Sequence, residues 1–152
     1  MKAIIQRVHS ASVSVDGKQI GAINKGLLIL LGVYSIDTPA HADLMARKLA
    51  RLRIFSDEND RMNLSLLDIG GSALVISNFT VCADTHRSNR PSFSNAMEPK
   101  TANELYERLC EQLKINEVQN VQTGQFGADM QVNSLNDGPV TLILDTTEWG
   151  NL

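Results

Sequence analysis

The sequence predicts a single mixed α/β domain, a strand-rich sheet or partial barrel with two main helices. Three observations carry this expectation. The first third reads as successive strands, with a tight hairpin at Asp16-Gly17. Two segments, following Thr38-Pro39 and Thr101, repeat apolar residues at helical spacing. The last third returns to strand-like stretches separated by glycine, which mixes strands with helices in one core. A chain of 152 residues fits one domain, 1–152, because domains commonly run to roughly 100–200 residues. No stretch reads as a linker, and no segment repeats at a fixed period.

Ile4, Ile5 and Val8 open the first strand, and Ser12-Val-Ser-Val15 alternates polar with apolar as a half-buried strand does. Asp16-Gly17 tolerates positive φ and turns the chain into Lys18–Ile23. Leu27–Val33 is apolar almost throughout, which suits a strand covered on both faces. Thr38-Pro39 opens a helix, because proline at the first position gives up a donor that has no helical partner. Leu44/Met45, Leu49 and Leu52 form its apolar stripe, with Arg47, Lys48 and Arg51 between them. Gly70-Gly71 turns into another buried strand, Ser72–Ser77. Thr101-Ala-Asn-Glu104 fits a capping box and predicts a second helix striped by Leu105, Leu109 and Leu113, joined by Tyr106 and Cys110. Glu117–Gln122, Ala128–Leu135 and Val140–Asp145 then read as strands.

Composition excludes several classes. Fourteen Lys and Arg against seventeen Asp and Glu leave a net charge of −3 and a pI near 5.5, unlike a polybasic nucleic-acid binder. Apolar residues at 43% are too many for a disordered chain. Cys82 and Cys110 cannot make a disulfide framework. The start of the chain lacks the pattern of a signal peptide, and the longest apolar run, Gly26–Tyr34, is short of the ~20 residues of a membrane span. A soluble, cytoplasmic protein without membrane partners is expected.

No phosphate loop, dinucleotide fingerprint, nucleophile elbow or Cys-x-x-Cys pair occurs. Cys82, Asp84 and His86 alternate and are all metal-ligand types, but three or four ligands must converge, and neither His9 nor His41 sits at ligand spacing. The plainer reading is a strand running out into a polar loop, and no metal is expected. His86, Arg87 and Arg90 make Thr85–Pro91 a basic loop, and Lys48, Arg51, Arg53 and Arg61 form a second cluster; either could hold phosphate or simply face solvent. Ser77-Asn78-Phe79-Thr80 follows a buried strand directly, where a turning backbone could present N–H groups as an oxyanion hole. Asn136-Asp-Gly-Pro139 reads as an ordinary turn.

Taken together, Ile5-Gln-Arg-Val8, Arg53-Ile-Phe55 with Met62-Asn63, Ser77-Asn-Phe-Thr80, Arg90-Pro-Ser-Phe93, Thr123-Gly124 and Asn136-Asp-Gly-Pro-Val-Thr141 resemble the D-aminoacyl-tRNA deacylases from Met1 to about Leu144. Two departures stand out. The family usually has glutamine where this chain has Asn78, and Ser134 takes the place of a leucine in Val132-Asn-Ser-Leu135. Asn78 is one methylene shorter, so its amide cannot reach the same point, while the backbone N–H groups of Phe79 and Thr80 are expected to be unaffected.

The resemblance implies the fold of that family and hydrolysis of the ester joining a D-amino acid to the tRNA 3′ end. It also implies that L-aminoacyl-tRNA is spared and that mischarged glycyl-tRNA is accepted. It further implies a homodimer with active sites at the subunit interface, no cofactor and no DNA partner. Thr80, Phe79, Ser77 and Asn78 would be the catalytic segment, with Thr80 positioning substrate rather than attacking it. Gly138 and Pro139, joined by a cis bond, would enter the partner's site as the chiral filter, supported by Arg7 and Met130. Arg87 and Arg90 would contact tRNA.

Overall fold

A computed structural model describes residues 1–150; Asn151 and Leu152, part of the expected single domain, lie outside the described residues. The strands are β1 (Lys2–Val15), β2 (Lys18–Ile23), β3 (Gly26–Gly32), β4 (Phe55–Ser56), β5 (Met62–Leu64), β6 (Ser72–Ser77), β7 (Asn120–Thr123) and β8 (Gln131–Asp145). The helices are α1 (Pro39–Arg51) and α2 (Pro99–Ile115), with 3-10 turns at Phe79–Cys82 and Thr146–Glu148. The main sheet runs β2-β1-β3-β6-β7, and β8 pairs with β1; β4 and β5 form a separate hairpin.

The mixed α/β expectation and its two helices hold. β1 pairs antiparallel with β2 and β3 along one edge and with β8 along the other, so the sheet curls toward a barrel. β3 is covered on both faces, as its unbroken apolar run predicts. Leu27, Ile29 and Leu31 face the core beneath the helices with Met45, Leu49, Leu109 and Leu113, while Leu28 faces a second cluster with Val8, Val13, Leu74 and Ile76. Alternation of side chains along a strand produces this division. β3 and β6 are parallel and approach closely at Gly26, where a Cβ would stand 1.8 Å from the Ser72 carbonyl oxygen. No side chain fits there.

The structure corrects four boundaries. First, α2 begins at Pro99, not Thr101. The Glu98 carboxylate accepts the N–H groups of Lys100 at 2.9 Å and Thr101 at 2.7 Å, so an acidic cap one residue before proline replaces the expected hydroxyl cap. Second, β7 starts at Asn120, because Glu117 takes a positive φ of 71° and its N–H still bonds to Lys114 as the helix ends. Third, the strand expected from Ala128 begins only at Gln131.

Fourth, Asn136–Pro139 is not a turn between two strands but lies within β8. Val8 pairs with Asn136 and Gln6 with Thr141, so Arg7 alone stands opposite Asp137–Val140, which bulge out of the ladder. Gly138 has a φ of 148° and the Gly138–Pro139 peptide is cis. Among the described residues β8 has no strand along its other side, and an edge strand tolerates a proline that cannot donate to a ladder. No helix among the described residues is long and apolar enough to cross a membrane.

Candidate functional site

β6 ends at Ser77, and the chain turns at once into the 3-10 segment Phe79–Cys82. The Asn78 N–H donates to the Leu31 carbonyl at 2.8 Å, which fixes the turn to the end of β3. The Asn78 side-chain oxygen then accepts the Thr80 N–H at 3.2 Å and the Thr80 hydroxyl at 2.5 Å. Asparagine is among the best N-cap residues because its short side chain folds back onto the following N–H groups. The expectation that the Thr80 N–H is indifferent to residue 78 therefore needs correction: it is occupied by Asn78. The Phe79 N–H has no protein acceptor among the described residues.

Beside this turn opens a cavity of about 870 Å³. Ser77, Asn78 and Phe79 line one part of it, and Leu28, Leu30, Ile76 and Met130 give it an apolar wall. Thr80 is exposed and outside the lining. The sequence-predicted residues Ser77, Asn78, Phe79 and Met130 are thus brought together, with Thr80 held beside them through Asn78. Ser134 lines the same cavity and is exposed, which explains why a polar residue is accommodated where a leucine was expected to pack.

Gln6 and Phe93, which lie in the motifs Ile5–Val8 and Arg90–Phe93 but were given no role from sequence, also line the cavity, as does Phe126, which was not singled out. Phe93 stacks edge-on against Phe79 with ring centroids 5.0 Å apart. An aromatic residue in the polar stretch Ser92–Asn95 was the available signal. The basic loop Thr85–Pro91 is closed by the Asp84–Ser92 bridge, which places exposed Arg87 and Arg90 just before Phe93.

Gly138 and Pro139 do not line this cavity and are exposed. Arg7 is buried and ties the bulge down: Nε lies 3.1 Å from an Asp137 carboxylate oxygen and donates to the Asp137 carbonyl at 3.2 Å, while Nη1 donates to the Ile54 carbonyl at 2.7 Å. The bond to the Asp137 carbonyl satisfies a backbone group that the bulge removes from the ladder, and the bond to Ile54 anchors the guanidinium.

The alternating trio does not converge. Cys82 is buried against Gly32, and burial pushes its thiol up to about 11. Asp84 instead accepts the His86 N–H and faces its ring nitrogen, both at 2.9 Å, and these contacts hold its carboxyl below the usual range. No group of three metal-ligating side chains comes together among the described residues.

The family model described as D-Tyr-tRNA(Tyr) deacylase matches residues 4–145. The chain belongs to that family. A D-aminoacyl-tRNA deacylase of Clostridioides difficile is 53% identical over 148 residues, covering 97% of this chain and 99% of the relative. One from Roseiflexus castenholzii is 58% identical over 146 residues, covering 96% and 92%. Among solved structures, a c-Myc DNA unwinding element binding protein matches with a TM-score of 0.91 and 40% identity, over 96% of this chain and 99% of that one. A probable eukaryotic D-amino acid tRNA deacylase, 14% identical with a TM-score of 0.82, shares the fold. As a deacylase of this family the chain is a hydrolase of the aminoacyl-tRNA ester bond, as the motif resemblance implied.

Proposed function

We propose that the chain removes D-amino acids from tRNA in the cytoplasm, as a homodimer whose cavity beside Ser77–Thr80 holds the aminoacylated 3′ end. The observation that carries this reading is the Phe79 N–H, without a protein acceptor among the described residues, beside a cavity with an apolar wall of Leu28, Leu30, Ile76 and Met130. A preorganised N–H aimed at a developing oxyanion is worth several kcal/mol where water is excluded, roughly 3–4 in comparable sites. Water adds to the ester carbonyl, assisted by the terminal ribose 2′-hydroxyl. The bond to the ribose 3′-oxygen then breaks, and that oxygen takes up the proton. An activated ester held in place needs no triad. Thr80 positions substrate: its hydroxyl donates to an amide oxygen, which is no base, and an unactivated threonine is a poor nucleophile.

The dimer reading is supported by β8. This long edge strand leaves Leu135 and Ile143 exposed at 62% and 65%, beside half-exposed Val132 and Leu142. An apolar edge of this length is a template for a second chain. Gly138 and Pro139 stand on the same strand, outside their own subunit's cavity, and enter the partner's. A backbone wall without a Cβ excludes an L-side chain by contact, and discrimination by clash is a common route to specificity. Glycine has no side chain to clash, so glycyl-tRNA is also a substrate. Arg7 braces the wall, Met130 shapes the cavity, and Arg87 and Arg90 contact the RNA end.

Incubation with D-Tyr-tRNA and L-Tyr-tRNA tests the activity. Release of D-tyrosine alone is expected, and release of neither amino acid, or of both equally, overturns the reading. Sedimentation tests the dimer, and a fully active monomer overturns that part.

A further inference from the structure

A second groove, of about 610 Å³, lies on the outer side of the helical layer, between the C-terminal end of α1 and Asn116. Arg47, Lys48, Arg51 and Arg53 line it, four exposed cations drawn from fourteen in a chain of net charge −3. None of the four is in an ion pair among the described residues. Arg51 donates to the Asn116 side-chain oxygen at 2.8 Å and Arg53 to the Asn63 carbonyl at 2.7 Å, both neutral acceptors that orient the guanidinium and leave its charge free. The nearby carboxylates bond to other groups, Asp43 to Arg108 at 2.7 Å and Asp68 to the Ser65 N–H at 2.8 Å, although Arg47 and Arg53 also help hold their pKa values down. Concentrated cations along a groove, two of them oriented by neutral acceptors, fit a repeating phosphodiester.

The position of the groove says which polyanion. Arg53 is followed by Ile54, whose carbonyl accepts from Arg7, and Arg7 holds Asp137 beside Gly138 and Pro139. The groove is therefore braced to the segment that, on the reading above, enters the partner subunit's cavity. We propose that the groove formed by Arg47, Lys48, Arg51 and Arg53 of one subunit holds the sugar-phosphate backbone of the tRNA whose 3′ end occupies the other subunit's cavity. This rests on the exchanged-loop dimer. It also accounts for an acidic enzyme gripping a polyanion, because the cations are pooled instead of spread.

The test compares wild type with Arg47→Glu/Lys48→Glu, on D-Tyr-tRNA and on D-tyrosyl-adenosine, which is too short to reach the groove. We expect KM for the tRNA to rise roughly tenfold or more and the dependence of log KM on log salt to become shallower by about one per lost phosphate contact. The tRNA should lose at least roughly tenfold more kcat/KM than the short ester does, with the same direction and a smaller size in the neutral pair Arg47→Gln/Lys48→Gln. Equal losses on both substrates, or an unchanged tRNA KM and salt slope, overturn the proposal. Failure of the underlying reading looks different: wild type itself would leave D-Tyr-tRNA intact or sediment as a monomer.

Discussion

The side-chain oxygen of Asn78 accepts both the N–H and the hydroxyl of Thr80, at 3.2 and 2.5 Å. One short side chain thus fixes the 3-10 turn and occupies a backbone donor at the rim of the cavity. Glutamine, the residue the motif resemblance leads one to expect here, is a poorer cap because its extra methylene carries the amide past the N–H groups. Asn78→Gln should lower stability by about 0.5–2 kcal/mol, the size of a lost cap. It should keep or raise kcat on D-Tyr-tRNA, because the Thr80 N–H is freed to join that of Phe79. Thermal melts and steady-state kinetics check the two halves separately. A large fall in kcat would show that the backbone has adapted to asparagine.

Thr80 donates its hydroxyl proton to an amide, so its loss should cost about one hydrogen bond. Thr80→Ser should keep most activity, and Thr80→Ala should retain a measurable fraction, within about tenfold of wild type. An acyl-enzyme on Thr80 seen by mass spectrometry in rapidly quenched reactions would make it a nucleophile instead.

Gly138 has a φ of 148°, and a Cβ there would stand 2.4 Å from the Val140 nitrogen. Gly138→Ala must therefore displace the bulge, at a cost of roughly 1–3 kcal/mol in backbone strain. The expected readout is a fall in the ratio of D-Tyr-tRNA to L-Tyr-tRNA hydrolysis, or loss of binding altogether. Unchanged discrimination at normal activity would remove Gly138 from the chiral filter.

The Asp145 carboxylate accepts from Tyr34 at 3.0 Å and from the Thr147 hydroxyl at 2.8 Å, and pairs with Lys2 at 3.3 Å. Burial pushes its pKa up, but the Thr147, Tyr34 and Lys2 contacts outweigh it, so the carboxyl is held below its ordinary value. A depressed carboxylate stabilises the fold above its unfolded pKa, near 3.8, and that stability is lost as pH falls through the folded value. Asp145→Asn should therefore destabilise by about 1–3 kcal/mol at pH 7. Denaturant midpoints should converge with wild type in acid below both pKa values; a gap independent of pH would assign the cost to packing.

The strands and both helices were legible because their signals are local. The unbroken Leu27–Val33 run reported burial on two faces, and the helix stripes reported which side meets the sheet. Asn136–Pro139 was misread from its residues alone because Asp-Gly-Pro carries the same turn chemistry whether the chain reverses or bulges. Only pairing with β1 decides, and Arg7, more than a hundred residues away, is what holds the bulge. The Asn78 cap was missed for a related reason. A shorter side chain was read as reach lost toward substrate, when its length suits a partner two residues along. The cavity wall from Phe93 and Phe126 comes from loops whose apolar residues have no periodicity to report.

β1 is flanked by the strands that follow it directly and, along its other side, by the last strand, with Ala3 paired to Leu144 and Ser14 to Gln131. During synthesis that second side stays unsatisfied until residues 131–145 have left the ribosome. Such distant pairings must meet the entropy of closing a long loop before they gain anything, which slows folding. The nascent chain therefore has its first strand half-paired and exposed to other chains while more than a hundred further residues are made. An enzyme that polices the fidelity of translation would itself depend on being sheltered through that interval.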